Sequence, residues 1–263
     1  MIEFCPLFSG SNGNSTLIEY QNTCVLIDAG VSGKKITDAV CALGKNARDI
    51  AGIFITHEHS DHIQSAGILS RKYNIPIFAT RGTWQELRRV AGNIERDNIR
   101  IIKHGEDTVI GSLAIRPFLR PHDAAEPVGY NIFAGNKKVS IATDIGAMND
   151  ELFLNLAKSD LVLLESNHDV DMLRYGPYSP TLKTRILGKS GHLSNDEAAP
   201  TCARLMSGGT RHFILGHLSG ENNNPDLAYR TTADTLARCG ARVGENVFLS
   251  VADRGTSGRL VTI

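Results

Sequence analysis

The most informative stretch of this 263-residue chain is Thr56-His57-Glu58-His59-Ser60-Asp61-His62. It follows an apolar strand predicted at 52–56 and opens a helix predicted over 61–73. Because residues two apart in an extended segment point the same way, His57 and His59 can hold one metal ion. Asp61 and His62 lie where the chain turns into the helix, so they can face a second ion. Imidazole and carboxylate ligands suit Zn²⁺, and also Mn²⁺ or Fe²⁺. The alternative for such a stretch is a solvated polar turn.

Other His and Asp residues follow further predicted strands. His122 comes after Arg120-Pro121, and Asp144 and His217 each follow an apolar run. Ligands in layered α/β folds gather at strand ends, so these three residues are what two neighbouring metals still need. Any one of them alone is more often a turn residue or a satisfied histidine. Asp28, which ends another predicted strand, is placed to orient a ligand histidine.

Composition narrows the class of protein. Apolar residues make up 41% of the chain, and 28 Lys+Arg balance 28 Asp+Glu. This excludes a disordered chain and a uniformly basic nucleic-acid binder. No apolar run approaches the ~18 residues of a membrane span, and the start lacks signal-peptide features, so we predict a cytoplasmic protein without a membrane partner. Short strands alternate with helices without a repeat or linker, which predicts one mixed-sheet α/β domain over 1–263.

The cysteines predict little chemistry. There are five, widely spaced and without a C-x-x-C pair. A disulfide scaffold and a cysteine zinc site are therefore not expected, and we predict buried thiols.

The ordered set of Asp28, the 57–62 stretch, His122, Asp144 and His217 resembles the five motifs of the metallo-β-lactamase fold superfamily. The runs 7–15, 122–130, 165–169, 191–195 and 215–219 look like those of the YycJ/WalJ-type bacterial hydrolases. The resemblance implies a four-layer αβ/βα sandwich of two mixed sheets with the metals at one edge. It also implies 5′→3′ exonuclease action on DNA.

The same resemblance implies a ligand set. One metal would be held by His57, His59 and His122, the other by Asp61, His62 and His217, with Asp144 bridging both. Spacing alone does not choose between His217 and His192, since both lie in Gly-His-Leu-Ser. We choose His217 because the apolar strand before it fixes its position.

The expected mechanism uses the metals and two side chains. Two neighbouring metals can hold a bridging hydroxide, which is the expected nucleophile. Asp61 is expected to orient or deprotonate that water, and His192 to act as general acid or phosphate donor. The alternative for His192 is a helix-capping loop histidine. Glu165 and His168 are expected to form a relay to the proton donor, an expectation that rests mostly on the resemblance.

A basic segment near His192 is the candidate substrate contact. Between Asp171 and Asp196 there is no acidic residue, and the segment carries Arg174, Lys183, Arg185, Lys189, Tyr175 and Tyr178. Such charges can contact phosphates while rings stack on bases. A solvated helix face is the alternative.

The predicted function is a dinuclear-metal-dependent phosphodiesterase, a 5′→3′ DNA exonuclease, with two Zn²⁺ or Mn²⁺ ions per chain and Fe²⁺ as a third choice. The alternative is a metal-dependent carbonyl hydrolase of a small thioester or lactone, which needs the same metals but no basic groove. The predicted partner is nucleic acid. We expect loops of the protein, or a partner subunit in a homo-oligomer, to bind it.

Overall fold

The computed structural model describes residues 1–255 and 258–263. Its strands, in chain order, are β1 (Glu3–Phe8), β2 (Ser15–Tyr20), β3 (Thr23–Ile27), β4 (Ile50–Phe54), β5 (Ile77–Ala79), β6 (Ile99–Ile101), β7 (Thr108–Ile110), β8 (Leu113–Leu119), β9 (Val128–Ala134), β10 (Lys137–Ala142), β11 (Leu161–Glu165), β12 (His212–Gly216), β13 (Phe248–Val251) and β14 (Val261–Thr262). Its α-helices are α1 (Gly33–Ala42), α2 (Ser60–Ile63), α3 (Ala66–Tyr73), α4 (Arg81–Val90), α5 (Asp150–Leu156), α6 (Val170–Tyr175), α7 (Pro180–Ile186), α8 (Asn195–Ser207) and α9 (Pro225–Arg238).

The chain divides into two compact units. The first comprises Met1–Leu119, Ala124–Lys137 and Asp253–Ile263, and the second comprises Arg120–Asp123 and Lys138–Ala252. The prediction of one domain over 1–263 stays a prediction.

The first unit contains a mixed seven-stranded sheet in the order β14-β1-β2-β3-β4-β5-β6. β14, β1, β2 and β3 pair antiparallel, and β3 to β6 pair parallel. Ile27 pairs with Phe54, so β3 and β4 end level with each other. This register places Asp28 beside Thr56, directly ahead of the histidine stretch.

A second group of strands in this unit, β7 to β9, is an antiparallel meander. The unit buries Trp84 at 2% and Tyr130 at 0% exposure. The Trp84 indole N–H donates to the carbonyl of Arg100. The only tryptophan in the sequence is therefore a core residue.

The second unit is built on parallel strands β10, β11, β12 and β13. The carboxyl ends of parallel strands lie at one edge of a sheet, which brings Asp144, Glu165 and His217 to the same edge. α8 begins with a reciprocal cap between Ser194 and Glu197, which holds the chain just after His192.

Two local predictions were wrong. The helix predicted over 61–73 is broken into α2 and α3, because the N–H and hydroxyl of Ser65 both donate to the carbonyl of Ala29. The thiols of Cys5, Cys24 and Cys202 are buried as predicted, but Cys41 and Cys239 are exposed. Burial raises the pKa of Cys5 to about 11.

None of the helices in the described residues is long and apolar enough to cross a membrane.

Candidate metal centre

The first cluster of predicted ligands lies in the first unit, where the chain leaves β4 and enters α2. The His57 ring centroid is 4.5 Å from that of His59 and 4.1 Å from that of His62. The Asp61 Oδ2 atom lies 3.4 Å from His62 Nε2. Four predicted ligands from one short stretch are therefore close in space, as the alternating spacing required.

Asp28 anchors this cluster through hydrogen bonds to Thr56 and His62. Its Oδ1 accepts from the Thr56 N–H at 2.8 Å, and its Oδ2 accepts from the Thr56 hydroxyl at 2.9 Å and from His62 Nδ1 at 2.7 Å. With its proton given to Asp28, the Thr56 hydroxyl accepts from His57 Nδ1 at 3.0 Å. Both histidines thus carry their proton on Nδ1 and their lone pair on Nε2. The backbone of Asp28 has a φ of 63°, in the left-handed region that is unfavourable for most residues other than glycine. Such strained conformations are found where a functional side chain has to be oriented.

The second cluster lies in the second unit around Asp144. The Asp144 Oδ1 atom is 3.4 Å from His217 Nε2, 3.8 Å from His192 Nδ1 and 3.9 Å from His122 Nε2. Asp144 and His217 leave their strands with φ values of 54° and 56°. A single carboxylate oxygen therefore faces three imidazoles.

Glu165 fixes two of these imidazoles. Its Oε1 accepts from Nδ1 of His192 at 2.9 Å and of His217 at 2.8 Å. Its Oε2 accepts from the N–H groups of Ile145 and Leu193. Burial raises the pKa of Glu165, but the two imidazoles outweigh it and hold that pKa at about 2. Glu165 is an anion at neutral pH, so the Nε2 lone pair of His217 is directed at Asp144.

His122 is kept neutral by its surroundings. Burial, opposed by Asp144 and reinforced by Arg120, lowers the pKa of His122 to about 4. Its Nδ1 donates to the carbonyl of Gly191 at 3.2 Å. The buried Arg120 guanidinium donates to the carbonyl of Asp144 and lies 3.8 Å from its Oδ2. Arg120 was not predicted as a site residue from the sequence. Its position two residues before the predicted ligand His122 is the signal that could have indicated this role.

The donor set of each cluster fits divalent ions. Hydrogen bonds at Nδ1 fix the tautomers of His57, His62, His122 and His217. Carboxylates lie beside the Nε2 atoms of His62, His122 and His217. Metal-ligating histidines are characteristically held in this way. Imidazole nitrogen with carboxylate oxygen suits Zn²⁺ or Mn²⁺. No cysteine takes part in either cluster.

The remaining predicted site residues lie in the second unit. His168 is buried, and neither of its ring nitrogens has a hydrogen-bond partner among the described residues. Glu165 contacts the predicted proton donor His192 directly. A part for His168 in a relay stays a prediction. His192 is the more exposed of the two alternative histidines, at 17% of its side chain against 2% for His217.

The basic segment forms α6 and α7, which the sequence prediction placed in no helix. Arg174, Tyr175, Arg185 and Lys189 are exposed, whereas Lys183 and Tyr178 are half-buried. The Lys183 ammonium donates to the carbonyl of Arg174 at 2.8 Å. Arg185 pairs with Asp123 at 2.6 Å. Part of the positive charge is therefore already engaged within the protein.

Comparison with known proteins decides the family. The model of the Beta-lactamase superfamily domain matches residues 23–218, most of the chain. The chain belongs to the metallo-β-lactamase superfamily. This superfamily member is 38% identical to Exodeoxyribonuclease YycJ of Bacillus anthracis over 93% of the chain and 92% of that protein. It is 39% identical to Exodeoxyribonuclease WalJ of Streptococcus pneumoniae serotype 2 over 92% of the chain and 91% of that protein.

A solved structure agrees with the superfamily fold. Zn²⁺-bound PqqB from Methylobacterium extorquens superposes with a TM-score of 0.74 at 18% identity, covering 99% of this chain and all (100%) of that one. The predicted fold, two mixed sheets flanked by helices, is confirmed, as is the resemblance to the YycJ/WalJ type. The chain is a metal-dependent hydrolase, and its His/Asp clusters are those of a divalent-metal site.

Proposed function

We propose that this metallo-β-lactamase superfamily member is a DNA exonuclease that hydrolyses phosphodiester bonds in the 5′→3′ direction with two divalent ions. The structural observation that carries the proposal is the Glu165 carboxylate, which holds one predicted ligand, His217, and one predicted proton donor, His192, by a single oxygen. Relatives named exodeoxyribonucleases, similar over nearly the whole chain, support DNA as the substrate.

The proposed ligands are the seven that the family resemblance assigns. They are His57, His59, Asp61 and His62 of the first unit and His122, Asp144 and His217 of the second. Divalent ions bound by such ligands lower the pKa of water and neutralise the charge of phosphate oxygens. Both Zn²⁺ and Mn²⁺ fit the donor set, and Fe²⁺ is the third choice.

Asp61 is the proposed acceptor for the proton of the attacking water. Its side chain is 24% exposed, so one face of the carboxylate is open to substrate and solvent. The other side is held through Oδ2, which lies 3.3 Å from the amide nitrogen of Asn14. A carboxylate held at one oxygen can orient a water with the other.

His192 is the proposed donor of the proton that the leaving alkoxide needs. Its Nδ1–H is held by Glu165 at 2.9 Å, and its ring is partly exposed. Because Glu165 holds Nδ1, Nε2 is the ring nitrogen left to exchange a proton with the leaving group. The same pairing orients the ring, which is the arrangement that general acids require.

The proposed DNA contacts are the basic residues and tyrosines of α6, α7 and the segment that follows. Tyr175 is 86% exposed, so its ring is available to stack on a base. Arg174, next to Tyr175 in sequence, and Lys189, which follows α7, are exposed cations. Because Arg185 is paired with Asp123, a phosphate there would compete with an existing ion pair.

A turnover assay on labelled polymers tests the proposal. The metal-stripped protein is restored separately with Mn²⁺ and Zn²⁺ and given 5′- and 3′-labelled DNA duplex, single-stranded DNA and RNA, with Asp144→Ala as the inactive control. Progressive shortening of DNA from the 5′ end is expected. Hydrolysis of a thioester or lactone with no cleavage of any polymer would overturn the proposal in favour of the carbonyl hydrolase. Shortening from the 3′ end would overturn the direction alone.

A further inference from the structure

Asn14 lies in the loop between β1 and β2, and its side chain reaches two of the proposed metal ligands. Its amide nitrogen Nδ2 is 3.0 Å from His62 Nε2 and 3.3 Å from Asp61 Oδ2. The residue is buried, with 7% of its surface exposed. The loop also contains glycines and hydroxyl side chains, and this asparagine is the side chain that contacts the ligand stretch.

The orientation of the Asn14 amide is fixed by Gly10. Gly10 N–H donates to Asn14 Oδ1 at 3.0 Å, and Asn14 Nδ2 donates to Gly10 O at 3.1 Å. A flipped amide would set oxygen against oxygen and N–H against N–H at these two contacts. The amino group, not the carbonyl, therefore faces His62 and Asp61.

The backbone of Asn14 is attached to the same stretch. Asn14 N–H donates to Asp61 O at 2.8 Å, and Gly30 N–H donates to Asn14 O at 2.8 Å. Three contacts thus place this one side chain and its peptide against the start of α2. The bonds to Gly10 and Gly30 hold the loop in this position.

We propose that Asn14 is a positioning residue for Asp61 and His62. This rests on the proposed function. The amino group has two hydrogens, and Gly10 O takes one of them. The second hydrogen has three acceptors within reach: His62 Nε2 and the carbonyl and Oδ2 oxygens of Asp61. His62 Nε2 carries a lone pair because Nδ1 of the same ring donates to Asp28. When the Nε2 lone pair is given to an ion, that hydrogen is left to Asp61 and fixes the orientation of its carboxylate through Oδ2.

The test is metal binding, measured apart from catalysis. Mn²⁺ is titrated into metal-free protein by calorimetry for the wild type, Asn14→Ala and the control Asn12→Ala, which changes an exposed asparagine of the same loop. Asn14→Ala is expected to lose roughly 10- to 100-fold in affinity for one ion, as loss of a partner of a metal ligand does, and to keep the other. Asn12→Ala is expected to bind as the wild type does.

A double-mutant cycle separates positioning from a general effect on folding. In an Asp61→Ala background, Asn14→Ala is expected to cost much less affinity, because the residue it positions is gone. If Asn14→Ala does not fold, Asn14→Ser, which is too short to reach His62, replaces it in the same cycle. Wild-type affinity in the Asn14 variants would overturn the inference, as would an equal loss with and without Asp61. A wild-type chain that binds no metal would instead overturn the proposed function.

Discussion

At the residue scale, the chemistry depends on which nitrogen of each imidazole a partner holds. Glu165 and Asp28 are the two buried anions that make this choice, and each holds an imidazole at Nδ1 within 2.9 Å. Neither carboxylate is a proposed ligand. Their effect is to leave a lone pair on Nε2 of His62 and His217 and to fix the orientation of the His192 ring.

His192→Ala is predicted to separate proton donation from metal binding. The leaving group loses its proton donor, so kcat on DNA is expected to fall about 10²- to 10⁴-fold while metal content is unchanged. His217→Ala is the matched comparison and is expected to lose a metal. Metal analysis with kcat checks both variants. Loss of an ion from His192→Ala, with none lost from His217→Ala, would exchange their roles.

Protonation of His168 is predicted to weaken the fold in mild acid. Burial lowers the pKa of His168, with Glu165 opposing it, whereas the unfolded chain titrates near 6.5. Because the unfolded state binds the proton first, the free energy of unfolding falls as the pH drops below about 6.5. His168→Gln is expected to make that fall shallower.

The measurement is urea denaturation with a chelator present at about pH 7.5 and 5.5. His104→Gln, which changes an exposed histidine, is the control and is expected to retain the wild-type pH dependence. An unchanged dependence in His168→Gln would show that another group is responsible.

At the scale of elements, the site depends on how closely the loop before β2, the turn after β3 and the start of α2 approach. A Cβ on Gly30 would lie 1.6 Å from Asp61 O and 2.7 Å from Asn14 N. Both are backbone atoms and cannot move alone. Gly30→Ala is therefore predicted to cost about 1–3 kcal/mol or more of stability and to lower metal affinity.

Gly33→Ala is the control for this substitution. A Cβ there has its nearest contact at 3.5 Å, an ordinary distance. The midpoint of urea unfolding is expected to fall for Gly30→Ala and to stay the same or rise for Gly33→Ala. Equal midpoints would contradict the close approach of these elements.

The strands and the His or Asp residues that follow them were predictable from sequence because the pattern is local. β3, β4, β10 and β12 are apolar runs that lead into His or Asp. The sequence predicts them at 24–28, 52–56, 138–143 and 212–215, and the structure ends each within two residues of the predicted limit. The break between α2 and α3 was not predictable, since it comes from a bond to Ala29, more than thirty residues away. The contacts of Asn14 and Arg120 are equally non-local. α6 and α7 did have local signals, the caps Asp169 and Ser179 with Pro180 after it.

The basic segment is predicted to set the salt dependence of DNA binding. Arg174→Ala and Lys189→Ala each remove an exposed cation, so the slope of log K against log salt is expected to fall by about 1 for each. Fluorescence anisotropy with metal-free protein gives K without cleavage. Arg238→Ala, at the exposed end of α9, is the control. The alternative, a solvated helix face, predicts no change in any variant.

At the scale of the whole molecule, charge and family constrain the function differently. The formal net charge is zero, so the protein has no overall field that attracts a polyanion, and binding depends on local cations. Membership of the metallo-β-lactamase superfamily covers most of the chain and makes hydrolysis with divalent ions the activity of the fold. The proposed specificity for DNA is then a property that the surface around the metal centre has to supply.

Whether two ions act together at this site is tested by a Mn²⁺ titration of the metal-free protein followed by the initial rate on 5′-labelled DNA. If two ions act together, as in two-metal hydrolases, the rate rises mainly with the second equivalent, and Asp144→Ala stays inactive at every ratio. Full activity at one equivalent, or in the absence of metal, would contradict a dinuclear hydrolase.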